Sequence, residues 1–143
     1  MTELSAVTID FARKLHGHIG PYLIIGLKMG EAAKKAFGIK DEDLPYLRAE
    51  VVVLLHPPFS CLLDGIQVST TCTIGNQRLQ FNNGTIIRVT FTCEDSSKIV
   101  KIKLAKQFYE QLELRHIQDK LDEEYAWELV ELSENQMFFI DVE

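Results

Sequence analysis

Residues 16–38 read HGHIGPYLIIGLKMGEAAKKAFG, and this stretch organises the N-terminal half of the chain. Pro21 is favoured at the first position of a helix, because the amide proton it lacks would have no partner there in any case. Gly38 is a typical helix stop. The pattern therefore predicts a helix over residues 21–37.

The predicted helix carries a stripe of small residues. Gly26, Gly30 and Ala33 recur at helical spacing. A glycine inside a helix costs about 1 kcal/mol relative to alanine, so two of them need a reason. We expect another backbone to approach closely here, either a sheet or a symmetry partner.

Flanking segments supply the other predicted elements. Apolar residues at helical spacing predict an amphipathic helix over residues 4–15: Leu4, Val7, Phe11 and Leu15. The β-branched run at residues 49–55 predicts a strand that is covered on both faces or central in its sheet. A short helix over residues 61–71 follows, with Ser60 as its N-cap.

The C-terminal half predicts a meander followed by helices. The expected strands are 78–82, 85–93 and 98–104; the expected helices are 105–116 and 120–132; a last strand covers 137–142. Asn82-Asn83-Gly84 favours a hairpin between the first two strands, and Asp95-Ser96-Ser97 joins the next pair. We therefore expect an α+β fold, with a mainly antiparallel sheet packed against N-terminal and C-terminal helices.

Composition narrows the functional classes. With 143 residues, 46% of them hydrophobic, the chain fits one domain over residues 1–143. A net charge of −6 argues against nucleic acid as a partner. No apolar run approaches the roughly 20 residues that span a membrane, and the acidic N-terminus does not resemble a secretory signal. We expect a cytoplasmic protein whose three cysteines are reduced.

His16 and His18 point the same way only where the backbone is extended, which Gly17 permits. The pair would then supply one or two nitrogen ligands to a metal, or one ligand and one acid–base group. An ordinary turn with one histidine capping a carbonyl is the alternative.

Cys61 and Cys72 bracket the predicted helix 61–71, but they lack the close spacing of a zinc knuckle. Buried cysteine also serves simply as a small hydrophobic residue, and this is the expectation for Cys93. Thiolate ligands would suit zinc or another borderline metal.

Asp64 follows Cys61 by one helical turn, so their side chains share a face. A carboxylate there would orient a histidine ligand, or only compensate the helix N-terminus. Gln67 continues the same face as a candidate polar contact to substrate.

Four co-ordered motifs resemble the FmdE family of formylmethanofuran dehydrogenase proteins over nearly the whole chain. They are His16-Gly17-His18-x-x-Pro21, Gly26-x-x-x-Gly30, Cys61-x-x-Asp64-Gly65-Ile66-Gln67 and Thr71-Cys72-Thr73-x-Gly75-Asn76. The chain is similar to the core domain of that family without its C-terminal cysteine-rich zinc ribbon. The resemblance implies an α+β domain, often dimeric, with a metal site usually taken to be zinc.

The chain departs from the family motif His-Gly-His-x-Cys-Pro-Gly at two positions. Gly20 stands in place of the cysteine, and Tyr22 in place of the last glycine. Carried over by position, the remaining candidate ligands are His16, His18, Cys61 and Cys72, and the candidate catalytic or orienting groups are His16 and Asp64. Zinc is the expected metal, with iron or another divalent ion as the alternative. The missing thiolate leaves either an open zinc site or a lost one.

Three functions follow from the resemblance. The first is a metal-dependent enzyme or accessory in C1 or formyl metabolism, its reaction unassigned. The second is a metal-binding module that serves a molybdenum or tungsten formylmethanofuran dehydrogenase, whose subunits would be partners. The third is a metal-free, degenerate member that acts as a dimeric interaction protein. A homodimer is the expected assembly.

Overall fold

The computed structural model describes residues 4–143, in which helices pack on a five-stranded sheet. The helices are α1 Ala6–His16, α2 Pro21–Phe37, α3 Cys61–Thr70, α4 Lys106–Ile117, α5 Glu123–Glu131 and α6 Glu134–Met137. The strands are β1 Leu47–Val53, β2 Leu79–Asn83, β3 Arg88–Cys93, β4 Ile99–Leu104 and β5 Phe138–Val142, and a 3-10 helix, Asp41–Tyr46, precedes β1. The predicted α+β class is confirmed.

The sheet has the strand order β2-β1-β3-β4-β5. Of the described strand pairs, β1 and β2 run parallel, and the other three pairs are antiparallel. β1 is internal, as predicted, but its burial alternates: Val51 and Val53 are buried whereas Arg48 and Glu50 are exposed. One face of this strand therefore carries the core and the other is open.

The predicted hairpin at Asn82-Asn83-Gly84 is wrong. Asn83 Oδ1 accepts a hydrogen bond from the Leu55 amide (2.9 Å), and the Gly84 amide donates to the Val53 carbonyl (3.1 Å). This turn sequence is thus held against the end of β1, and β2 extends the sheet beside β1 instead of folding back on β3. The predicted β3–β4 hairpin is confirmed.

α2 is the central helix of the fold, and its glycines contact α3. A Cβ added at Gly26 would lie 2.1 Å from the Leu62 carbonyl oxygen, and one added at Gly65 would lie 2.3 Å from that of Leu23. Further along the helices, a Cβ added at Gly30 would overlap the side chain of Ser69. The expected close backbone approach is confirmed, but the neighbour is α3 rather than a sheet or a symmetry partner.

Contacts progress in the same direction along α2 and α3, so the two helices run parallel and their N-termini lie at the same end. The start of α3 has no Ser60 cap, contrary to prediction. Its backbone is already helical at Ser60 (φ −65°, ψ −15°), because turn-type hydrogen bonds from Cys61 to Pro58 and from Leu62 to Phe59 lead into the helix.

α1 forms as predicted, but its apolar row faces outward. Ile9 and Ala12 are buried, whereas Val7, Phe11 and Leu15 are more than half exposed (79%, 62% and 54%). Among the described helices, none is both long and apolar enough to cross a membrane.

Candidate functional site

The parallel pairing of α2 and α3 brings distant sequence motifs to one end of the molecule. His16 ends α1, His18 and Gly20 lie in the link to α2, and the first turn of α3 carries Cys61 and Asp64. The glycine contacts between the two helices permit this approach, because a Cβ at Gly26 or Gly65 would overlap backbone and one at Gly30 would overlap the Ser69 side chain.

Gly17 sets the geometry of the histidine pair. It ends α1 in the left-handed region (φ 101°), with its amide bonded to the Arg13 carbonyl at 2.7 Å. The reversal places the rings of His16 and His18 with centroids 4.7 Å apart, tilted by 37°. The two imidazoles therefore lie together at a helix end, and not along an extended link, which was the condition expected for them to point the same way.

A chain of hydrogen bonds orients His16. Its Nδ1 lies 2.7 Å from Asp64 Oδ2, and since a carboxylate only accepts, Nδ1 donates. Gln67 Nε2 donates to the second carboxylate oxygen at 3.2 Å, and Gln67 Oε1 accepts from the Ile74 amide at 3.2 Å. Gln67, predicted as a substrate contact, therefore uses both ends of its amide to hold Asp64.

The other ring nitrogen of His16 behaves differently. Nε2 is buried, and no hydrogen bond to it is present in the described part of the chain. In the neutral imidazole, a proton on Nδ1 leaves Nε2 with a lone pair. A buried lone pair of this kind, with a carboxylate behind the ring, is the arrangement of a metal-bound or proton-accepting histidine.

Gly20 lies beside His18. A Cβ built at Gly20 would sit 3.5 Å from His18 Nε2, an ordinary contact distance. A cysteine at this position would therefore carry its sulfur close to the imidazole of His18. In this chain the glycine offers no such ligand, and His18 itself is exposed.

Cys61 is half-buried at the first position of α3. Burial, and next the charge of Asp64, raises the pKa of its thiol. The thiol is therefore protonated at neutral pH unless a cation lies beside it. A metal ion would supply that cation and deprotonate the sulfur.

Cys72 makes contacts of a different kind. It is fully buried, its thiol donates to the Leu47 carbonyl at 3.2 Å, and its amide donates to Thr70 Oγ1 at 3.1 Å. Burial raises the pKa of this thiol as well. Cys93 lies in the hydrophobic core. Across residues 4–143, no group of three or more His, Cys, Asp or Glu side chains is arranged to hold a metal ion.

The side chains at this end of the molecule supply some, but not all, of the ligands that a metal ion needs. His16 Nε2 is oriented and has no partner in the described chain, and a second imidazole lies beside it. A third donor has to come from Cys61, from Cys72 after it leaves Leu47, or from solvent.

An aromatic cluster next to this site was missed by sequence reasoning. Phe59 makes edge contacts with Tyr22 (5.4 Å), His56 (5.3 Å) and His116 (5.2 Å). These residues come from three separate parts of the chain, so no local pattern links them. The replacement of the family glycine by Tyr22 is the one signal that the sequence offered.

Fold and site together define an α+β domain with a histidine-containing centre at the shared N-terminal end of two parallel helices. The family model described as "FmdE, Molybdenum formylmethanofuran dehydrogenase operon" matches residues 15–139. The chain belongs to the FmdE family.

Two known proteins are similar to the chain. It is 32% identical over 68 residues, 48% of its length, to a probable S-adenosyl-L-methionine-binding protein of Archaeoglobus fulgidus, and the match spans only 18% of that relative. Its fold matches the crystal structure of a tungsten formylmethanofuran dehydrogenase FmdE-like protein from Syntrophus aciditrophicus. The TM-score is 0.67 at 20% identity, covering 100% of this chain and 77% of the other.

Proposed function

We propose that this protein binds a divalent metal ion, zinc in the first place, through His16, His18 and Cys61, with Cys72 as a further candidate ligand. The observation that carries the proposal is the buried, unpartnered Nε2 of His16 in the described chain, behind which Asp64 holds Nδ1. Leaving such an atom without a partner costs about 1–3 kcal/mol, and a metal ion would remove that cost.

Each side chain has a distinct part in the proposed site. His16 and His18 offer nitrogen and Cys61 offers sulfur, which zinc and iron(II) both accept. Asp64 keeps the proton on His16 Nδ1, and Gln67 keeps Asp64 in place. A metal with three protein ligands and an open position supplies Lewis acidity and a bound water of lowered pKa.

The proposed setting is C1 or formyl metabolism, as an enzyme or as an accessory. Membership of a family described by the molybdenum formylmethanofuran dehydrogenase operon supports this setting. It also makes the molybdenum or tungsten subunits of such a dehydrogenase the proposed partners.

A homodimer is the proposed assembly. The outward row Val7, Phe11 and Leu15 supports it, because this row borders an apolar groove of about 480 Å³ between α1 and α3. Exposed apolar patches of this kind commonly mark contact surfaces. Phe11→Glu should give a monomer by light scattering; a wild-type protein that is already monomeric at high concentration contradicts the dimer.

The second candidate function is a metal-free interaction protein. Two observations favour it: Gly20 leaves no thiol beside His18, and within residues 4–143 no three-ligand group is preassembled. Under this alternative the His16 nitrogen would bind a water or a partner group.

Elemental analysis of protein purified without chelator or affinity tag distinguishes the metal-binding function from the metal-free one. Zinc titration against a competing chromophoric chelator would follow, on wild type and on Cys61→Ser, Cys72→Ser and Cys93→Ser. About one metal ion per chain is expected, with affinity lowered at least about tenfold by Cys61→Ser and unchanged by Cys93→Ser.

The Cys72→Ser variant shows whether Cys72 is a metal ligand. A loss as large as that of Cys61→Ser makes Cys72 a ligand, which requires its sulfur to leave the Leu47 carbonyl. Protein without stoichiometric metal, and equal weak affinity in all four proteins, would overturn the metal proposal in favour of the interaction protein.

A further inference from the structure

A second candidate binding site lies between α4 and the segments that lead into α2, α3 and β3. It is a cavity of about 190 Å³. Its apolar floor is formed by Leu54, Ile87 and Leu112. An apolar cavity of about 150 Å³ holds benzene, so this one has room for a six-membered ring with a small substituent. The five candidate residues of the metal site do not line it.

The aromatic wall of this cavity is preformed. Tyr22 and Phe59 both line it, and their rings are fixed in an edge contact with centroids 5.4 Å apart. His116 braces Phe59 from the side of α4. A flat apolar body packed against these rings would gain aromatic contacts in addition to burial.

Polar side chains also line the apolar space, and two of them matter for a ligand, Tyr22 and Glu113. The side chain of Tyr22 is almost fully buried, and no hydrogen bond to its hydroxyl is present within residues 4–143. Glu113 lies on the α4 wall, where its Oε1 accepts from the Tyr109 hydroxyl at 2.5 Å.

Glu113 also lacks a cationic neighbour in the part of the chain that the structure describes, since none of the ion pairs there includes it. The cavity therefore combines an aromatic, apolar interior with one carboxylate at its exposed side, that of Glu113, on a chain of net charge −6. His116 also lines the cavity, but no ion pair within residues 4–143 joins it to Glu113. This combination disfavours an anionic ligand and favours a cation.

We propose that this cavity binds a small primary amine with an aromatic or branched apolar body. The body would lie against the rings of Tyr22 and Phe59 and above Leu112, and the ammonium group would donate to the carboxylate oxygen of Glu113 that Tyr109 does not use. This site is independent of the metal proposal, because it uses none of the same side chains.

Three probes of one shape test the proposal: benzylamine, benzyl alcohol and benzoate. Each is titrated into isotopically labelled protein, and dissociation constants and shifted amides are read from proton–nitrogen NMR spectra. We expect benzylamine to bind about tenfold more tightly than benzyl alcohol, benzoate to bind weakest, and the shifted amides to cluster around Tyr22, Phe59 and Leu112.

Glu113→Gln and Glu110→Gln form the matched pair of variants, since both remove one carboxylate from α4 and, of the two, Glu113 lines the cavity. Glu113→Gln should lower benzylamine affinity about tenfold, to that of the alcohol, whereas Glu110→Gln should leave it unchanged. Equal binding of the three probes, an equal effect of both variants, or no binding of any probe at millimolar concentration would overturn the proposal.

Discussion

Lys28 and His16 both have buried side-chain nitrogen atoms, but they differ in their hydrogen bonds. The ammonium group of Lys28 has three carbonyl partners, whereas only one ring nitrogen of His16 has a partner in the described chain. Lys28 on α2 is only 3% exposed, and its ammonium group donates to the carbonyls of Leu129 (2.8 Å), Val130 (3.1 Å) and Leu132. Three donors meet three carbonyls in the last turn of α5 and just after it, and the Leu129 carbonyl also accepts from the Leu132 amide at 3.2 Å. Lys28 therefore ties α2 to α5.

His16 is bonded on one side only. Asp64 holds Nδ1 while Nε2 remains buried without a partner in the described chain. A fully bonded buried group stabilises a fold, whereas a half-bonded one keeps an interaction available for a ligand. The difference marks Lys28 as a structural contact and supports the proposed ligand role of His16.

Removing the ammonium group of Lys28 should have the largest effect on stability. Lys28→Met would leave three carbonyls at the end of α5 without their shared donor. We expect the free energy of unfolding in urea to fall by about 2–4 kcal/mol at pH 7. Lys14→Met, which removes an exposed lysine paired with Asp10, should change it by less than about 0.5 kcal/mol. Equal effects of the two variants would refute the structural role of Lys28.

Weakening the contact between Asp64 and His16 should lower metal affinity far more than it lowers stability. Asp64→Asn replaces the charged acceptor behind His16 with a neutral one of the same shape. We expect zinc affinity, measured by chelator competition, to fall about 10–100-fold. Asp10→Asn is the control, because the ion pairs of Asp10 are with Arg13 and Lys14 on α1. Unchanged zinc affinity in Asp64→Asn would show that Asp64 does not orient a ligand.

Adding a further ligand next to His18 should strengthen metal binding. Gly20→Cys adds a thiol next to His18, where a Cβ has room. We expect zinc affinity to rise by about tenfold or more, since a thiolate is a preferred zinc ligand. Gly75→Cys places a thiol at another open glycine and should leave the affinity unchanged. An equal gain in both variants would indicate nonspecific thiol binding.

Tyr125 gives the smallest test, because its hydroxyl is the other buried atom without a partner in the described residues. Tyr125→Phe should raise the free energy of unfolding by about 0.5–1 kcal/mol. Burial also raises the pKa of Tyr125 above 10.0, so the unfolded chain loses this proton first and stability falls as pH rises past 10. The variant should lose less stability there, whereas Tyr46→Phe, at an exposed position, should match wild type.

Much of the site was predictable from local sequence. Gly17 and Pro21 mark the end of one helix and the start of the next, so the histidine pair had to lie where α1 ends and the link to α2 begins. This prediction succeeds because caps and turns depend on a few neighbouring residues. For Asp64 the sequence left two roles open, orienting a histidine or compensating the helix N-terminus, and the bond to His16 fits the first.

Other features were decided by distant contacts. Asn83 and Gly84 form a good turn sequence, but their hydrogen bonds go to the end of β1, where the gain from pairing with a buried strand outweighs the turn preference. Phe11 and Leu15 follow a helical spacing that cannot say which side of α1 the core lies on. The partner of Cys72, the Leu47 carbonyl, is likewise absent from any local pattern.

The amino-acid sequence by itself determined the α2 helix, the small residues on one side of it, and the set of histidines, thiols and carboxylate available for chemistry. Local conformational preference and side-chain type are properties of neighbouring residues. Tertiary structure decided that the small side of α2 meets α3, and hence that Asp64 reaches His16 and Cys72 turns toward β1. Those choices depend on which long-range surfaces exclude most water and satisfy most backbone groups together.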